Sequence, residues 1–193
     1  MSREDDESWA EYGRREGSGT DWVNWIVTAV VVGIVGVYAY RFVAPSGAAS
    51  LVGKEAPGFE VAALDEGESV RLTEYRGRVV LMDFWATWCP PCHDQMRYVK
   101  QFAGSHPDPD GPVVLLVNTD KPGANRRKKV ESYLKRRGVT HPTALDDGTI
   151  QSSYRVDVYP TLVVVGPEGK IQFAEEGVHG PEELHEIVEA ARE

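Results

Sequence analysis

The sequence predicts an α/β fold, with a mixed central sheet flanked by helices, preceded by one membrane-spanning helix. Three observations carry the prediction. Short apolar, β-branched runs alternate with segments whose apolar residues recur every three to four positions, the pattern of strands interleaved with amphipathic helices. Residues 22–40 (WVNWIVTAVVVGIVGVYAY) hold no charged side chain. The composition is otherwise globular: 41% hydrophobic and 26% charged over 193 residues, which excludes wholesale disorder and collagen-like repeats.

Residues 1–21 are rich in charge and poor in aliphatics, which predicts a disordered tail. From Trp22 to Phe42 a helix rising about 1.5 Å per residue reaches roughly 30 Å, enough to cross a bilayer. Trp22 and Trp25 at one end and Tyr38, Tyr40 and Phe42 at the other suit the aromatic belts of a span, so residues 22–42 are expected to be a transmembrane anchor. A buried core helix is the plain alternative, although such helices are rarely apolar all round for so long. A cleaved signal peptide is another, and Ser46–Ser50 offers small residues for cleavage. Arg3, Arg14 and Arg15 precede the span, against Arg41 and Lys54 after it. That bias favours a cytoplasmic N-terminus and an extracytoplasmic (periplasmic) domain. Residues 43–52 read as a short flexible linker.

Residues 53–193 are long enough to bury a core. Residues 58–76 predict a small hairpin. Val79–Phe84 (VVLMDF) reads as a buried strand. Pro91 to about Gly104 reads as a helix with Met96, Val99 and Phe102 inward. Val113–Asn118 is a second buried strand. Asn125–Arg137 is a helix with Val130, Tyr133 and Leu134 inward, stopped by Gly138. Thr161–Val165 is a third strand, and the turn 166–169 returns the chain along Lys170–Glu175. Pro181–Arg192 closes as a helix with Leu184, Ile187 and Val188 inward.

The chemistry concentrates in Trp85-Ala86-Thr87-Trp88-Cys89-Pro90-Pro91-Cys92. These are the only cysteines of the chain, too few for a disulfide framework or a four-cysteine zinc site. They fall between a buried strand and a helix start. Unpaired N–H groups and partial positive charge there stabilise a thiolate, the nucleophilic form. Spacing of i, i+3 brings the Cα atoms within disulfide range, about 5–6 Å. Pro90 and Pro91 suit a helix start and remove donors that would otherwise hold the thiolate. The expectation is thiol–disulfide exchange: exposed Cys89 attacks, and more deeply buried Cys92 resolves the mixed disulfide. Two inert buried cysteines, or a metal pair, are the alternatives. Asp83 lies inside an otherwise apolar strand. Burial without a partner raises its pKa, which makes it a candidate proton acceptor for Cys92. His93 is expected at the surface beside the pair, where as a cation it would stabilise the Cys89 thiolate.

Phe84-Trp85-Ala86-Thr87-Trp88-Cys89-Pro90-Pro91-Cys92 resembles the active-site segment of the thioredoxin superfamily, in the form of its membrane-anchored TlpA/ResA-like branch. Gly53–Phe59 and Leu72–Arg78 resemble that branch's first segments, and the resemblance covers 53–193. It implies a thioredoxin fold with a small N-terminal β extension. Tyr159-Pro160-Thr161 matches the family's proline loop, which implies a cis Pro160 facing the cysteines. The backbone of Tyr159 would then pair with an extended client segment, and Trp88 would belong to the apolar contact surface. Asp83 aligns with the buried aspartate of thioredoxins. Two positions depart from the pattern. Gln95, which cannot titrate, stands where this branch often has glutamate, and Leu116 stands where thioredoxin has a lysine near the aspartate.

Cys89-Pro90-Pro91-Cys92-His93 also fits a c-type haem attachment pattern. A cytochrome needs a second axial ligand, and Met96 on the same helix is badly placed for it. His106, His141, His179 and His185 are scattered, so neither a metal nor a cofactor is expected. Thirty acidic residues against 21 basic ones give a net charge of −9, which argues against nucleic-acid binding. The basic run Arg126–Lys129 with Lys135–Arg137 reads as a solvated helix face, with contact to anionic lipid or an acidic partner as the alternative.

The resemblance implies a membrane-tethered oxidoreductase that reduces disulfides of extracytoplasmic clients, such as an apocytochrome c or a metal-site protein, with electrons from a transmembrane thiol donor. A CxxC pair runs either way according to its potential, so an oxidase stays open. So does a non-catalytic module that holds clients.

Overall fold

The computed structural model describes residues 21–43, 47–108 and 110–192. The tail predicted over 1–21 lies almost wholly outside them. The chain divides into two units, Met1–Ala44 and Pro45–Glu193.

In the first unit a helix, α1, spans Asp21–Val43. Its side chains from 22 to 37 are exposed on every face. That run alone rises roughly 24 Å. Among the described residues no helix is long and apolar enough to cross a membrane.

The second unit is built on a five-stranded sheet ordered β5-β4-β3-β6-β7. Its strands are β3 (Val80–Trp85), β4 (Val113–Asn118), β5 (Thr143–Leu145), β6 (Thr161–Val165) and β7 (Ile171–Glu176). β3, β4 and β5 are parallel, while β6 runs antiparallel to β3 and to β7. The predicted mixed sheet is therefore present, with one more strand than the sequence pattern gave. β3, β4 and β6 are buried at every position, as runs covered on both faces must be.

Alternation along β3 divides the interior. Val80, Met82 and Phe84 face a core containing Leu115, Ile150, Tyr154 and Val163. Leu81 and Trp85 face a second core, shared with α2 (Pro91–Ser105), α3 (Arg126–Arg137) and α5 (Pro181–Ala190). The inward sets read from the sequence pack as expected, except that Ile187 is only half-buried. Gly138 ends α3 at φ 60, donating to Leu134 O and Lys135 O, the left-handed stop that glycine tolerates best.

The predicted hairpin is the antiparallel pair β1 (Glu60–Ala62) and β2 (Ser69–Arg71). It is stitched to β5 through the Leu64 N–H bond to Thr143 O, at 2.8 Å. A short helix, α4 (Thr149–Ser153), completes the unit.

Two expectations are corrected. Residues 47–51 are not flexible linker but a 3-10 turn whose Ala48 and Leu51 are buried. Just after this turn, Gly53 N–H donates to Ile171 O of β7 at 2.8 Å. The run Arg126–Lys129 is not wholly a solvated face. Arg126 donates to Asn118 O, Asn118 Oδ1 and Asp146 O, and Arg127 to Ala63 O and Leu64 O. These two guanidiniums tie α3 to backbone carbonyls at the ends of neighbouring loops, Asn118 O also accepting the Asp146 N–H.

Candidate active site

β3 and β4 end together, Trp85 opposite Asn118. Phe84 opposite Thr161 brings the start of β6, and with it Pro160, to the same edge. Loops 86–90, 119–125 and 154–160 thus converge at the carboxyl ends of the parallel strands, where open α/β sheets form their crevices.

The loop after β3 carries the cysteines. Cys89 and Cys92 form a disulfide with Cα atoms 5.4 Å apart. Pro90 occupies the N-cap of α2 and Pro91 its first position. Neither proline has an N–H, so the amide of Cys92 is the first free donor of the helix. It donates to Cys89 Sγ at 3.3 Å. When the pair is reduced, this donor and the helix dipole both favour a thiolate at Cys89. Cys92 is fully buried, as expected. Cys89 was expected to be exposed, yet keeps only 3% of its surface accessible. The bond to Cys92 draws it into the cluster of Trp85, Ala86, Met96 and Val99.

Beside the disulfide, the Tyr159–Pro160 bond is cis, as the resemblance implied. Pro160 is buried and Tyr159 half-buried. The Tyr159 ring meets Trp88 edge-on, centroids 5.8 Å apart, while Trp88 remains 60% exposed. The two rings border an open groove of about 770 Å³, also lined by Lys121, Lys129 and Gln151. The loop is pinned from below by Asp120. Its buried carboxylate accepts the Thr87 N–H at 3.1 Å and the Thr87 hydroxyl at 2.6 Å. Pattern reading missed Asp120 and Lys121, whose one sequence signal is position, just after a buried strand, and it took Lys129 only as part of a solvated basic run.

On the opposite side lies Asp83. It pairs across the sheet with Leu116 and Leu162. Alternation with Leu81 and Trp85 turns it toward the core that holds Cys92. It is fully buried, and neither carboxylate oxygen has a hydrogen-bond partner among the described residues. Burial pushes its carboxyl up to about 7. Gln95, one turn after Cys92, is also fully buried. Its Oε1 accepts the backbone N–H of buried His179 at 2.7 Å, while its Nε2 finds no partner among the described residues. His93 is exposed and lies against Tyr133, centroids 5.5 Å apart.

Residues 52–174 match the AhpC/TSA family. The chain belongs to that family. Over 157 residues it is 32% identical to the thiol-disulfide oxidoreductase ResA of Geobacillus thermodenitrificans, covering 81% of this chain and 86% of the relative. Among solved structures it is similar to a Chlorobium tepidum protein described as thiol:disulfide interchange protein DsbE. That match has a TM-score of 0.63 at 26% identity, over 72% of this chain and 96% of the other. StoA from Bacillus subtilis matches at TM-score 0.58 and 26% identity, over 68% and 96%. With the CxxC disulfide at a helix N-terminus, these relatives make the protein a thioredoxin-like disulfide oxidoreductase of the TlpA/ResA type.

Proposed function

We propose that this oxidoreductase works as a membrane-anchored reductase of extracytoplasmic protein disulfides. The observation that carries the reading is the asymmetry around Cys89–Cys92. One side is an exposed aromatic edge fit to meet a polypeptide. The other is a buried carboxyl poised near neutrality.

In the reduced protein, the Cys89 thiolate attacks a client disulfide. A Cys89–client mixed disulfide forms and one client thiolate leaves, taking a proton from water. The Cys92 thiol then passes its proton to the Asp83 carboxylate and attacks Cys89 Sγ. The Cys89–Cys92 disulfide forms, the second client thiolate leaves, and two electrons have moved to the client. A dithiol donor in the membrane restores the pair, and the proton leaves Asp83. Trp88 and the backbone of Tyr159 hold the client as an extended segment beside Pro160, and His93 adds positive charge at the mouth when protonated. An apocytochrome c or a metal-site protein supplies a disulfide of the required kind.

The anchor rests on the sequence of 22–42 and on the exposed apolar side chains of 22–37. A tether raises the effective concentration of the domain near membrane partners without any new contact. Equilibration of the chain with glutathione tests the direction. A potential near or below about −270 mV fits a reductase, and one near about −120 mV overturns the assigned direction. Labelling of mildly reduced cells with an impermeant thiol reagent tests the topology: Cys89 should react, and protection sinks the outward orientation.

A further inference from the structure

α2 has the cysteine pair at its N-terminal end, and His106 caps its other extremity. There it meets α5, on which His185 and Glu189 stand one turn apart and so share a face. One ligand atom from each of His106, His185 and Glu189 lies within 4.8 Å of the other two. We propose that these three residues bind a borderline divalent metal ion of the zinc type, clamping the C-terminal end of α2 to α5.

His106 Nε2 and His185 Nδ1 are 3.2 Å apart. Two nitrogens bound about 2.1 Å from one zinc ion lie roughly 3.4 Å apart at a tetrahedral angle and roughly 3.0 Å apart at a right angle. The observed spacing falls between these limits, so the two imidazoles can share an ion without the helices moving apart, and the Glu189 side chain closes onto it by rotation.

The second nitrogen of His106 is already engaged. Nδ1 lies 2.8 Å from Phe102 O and donates to it. The ring rests on the Phe102 ring, centroids 4.3 Å apart. In the neutral ring this leaves the Nε2 lone pair facing His185, the outer-shell arrangement that orients metal-binding histidines. Binding through His106 Nε2 and His185 Nδ1 places the ring proton of His185 on its Nε2, with both imidazoles bound as neutral ligands.

Glu189 supplies the third, anionic ligand. Its present partner is Arg192 at 3.4 Å, a half-exposed ion pair of little net value that yields readily. His106 is half-buried and the other two residues are exposed, which leaves room for water in the remaining positions. Two imidazoles select against Mg2+ and Ca2+, which prefer oxygen. No local motif announced this set, because His106 and His185 are 79 residues apart.

The test uses the full-length, untagged chain in mild detergent, oxidised so that Cys89 and Cys92 offer no thiolate. Zn2+ is titrated against a chromophoric chelator. One ion should bind per chain, excess Mg2+ should not displace it, and the melting temperature should rise with zinc. His106→Ala and His185→Ala should each weaken binding at least about tenfold and abolish the thermal shift, Glu189→Gln should weaken it less, and His141→Ala should leave it unchanged. In the wild type, ring-nitrogen resonances of His106 and His185 should move first on adding zinc, a readout that survives misfolding of any variant. Binding unchanged in the double histidine variant, binding that needs a reduced cysteine pair, or first movement of other histidines overturns the site.

Discussion

Trp88, on one side of Cys89–Cys92, keeps 60% of its surface in solvent, whereas Asp83, on the other, keeps none. A folding optimum would reverse both: the indole forgoes hydrophobic burial and the carboxylate forgoes hydration. The two departures differ in kind. Trp88 can be changed without disturbing the interior, because it packs on Tyr159 at the rim of an open groove. Asp83 is surrounded by strands on both sides, so its cost is built into the core. On the function proposed above, client recognition would sit on a replaceable surface and proton handling where solvent cannot interfere.

The harshest test of this division removes what both sides serve. Cys89→Ala should reduce disulfide turnover to the uncatalysed background in an insulin-reduction assay. Cys92→Ala should leave attack intact and accumulate mixed disulfides with clients, visible on non-reducing gels. Turnover persisting in Cys89→Ala would mean that the fold acts without its thiols.

Asp83→Asn separates the buried side from the chemistry. The folded carboxyl titrates near 7 instead of 3.8. Below about 4 it is protonated whether folded or unfolded, and its burial carries no electrostatic penalty. As pH rises from about 4 to about 7 the unfolded chain ionises while the folded carboxyl stays protonated, so stability is progressively lost, and the loss levels off above 7. At pH 8 the loss reaches roughly 4 kcal/mol, about 1.4 kcal/mol per pKa step. Urea melts of oxidised wild type and Asp83→Asn should coincide near pH 4 and diverge by an amount of that order at pH 8, the variant being the more stable. The same variant should resolve mixed disulfides more slowly. Equal stability at both pH values would show that Asp83 is not the strained group.

These two sides were not equally legible in sequence. Asp83 stood out because a lone charge in VVLMDF breaks an apolar run, and the cysteines and Tyr159–Pro160 are local motifs. β3, β4 and β6 were legible within a residue because each is a run of mostly apolar residues, broken inside only by Asp83. Thr143–Leu145 was not: three residues carry no period, and they form a strand only because Leu116–Asn118 offers an edge. Residues 47–51 read as linker because small residues have no pattern, yet Ala48 and Leu51 are buried. The groove was hidden for the same reason. Thr87 and Asp120 are 33 residues apart, and only the sheet register brings them together.

Gln95→Glu sharpens the comparison by adding a second acid to the buried side. The side chain keeps its length and can still accept the His179 N–H. That bond offsets part of the cost of ionisation, so the expected destabilisation is about 2 kcal/mol at pH 8. Burial raises the new carboxyl, and its penalty should vanish near pH 4 in the same urea melts. The pH profile of Cys92 resolution should also change, because two acids on one side of the helix titrate together. A pH-independent loss would point to packing instead of charge.

Trp88→Ala addresses the exposed side and should have the smallest effect on the fold. The indole has one ring neighbour, Tyr159, and most of its surface is already wet. Removing it therefore costs little stability, within about 0.5 kcal/mol as for ordinary surface substitutions. Client affinity should fall further, by about 1–2 kcal/mol or roughly tenfold, because aromatic anchors carry a disproportionate share of interface energy. The expected signature is a raised KM for an unfolded disulfide client, with unchanged kcat and an unchanged glutathione equilibrium. Trp88→Phe should restore most of the loss. If KM holds and the melting temperature drops instead, Trp88 belongs to the core side of the comparison, and the client edge must lie along Lys121 and Lys129, farther down the groove.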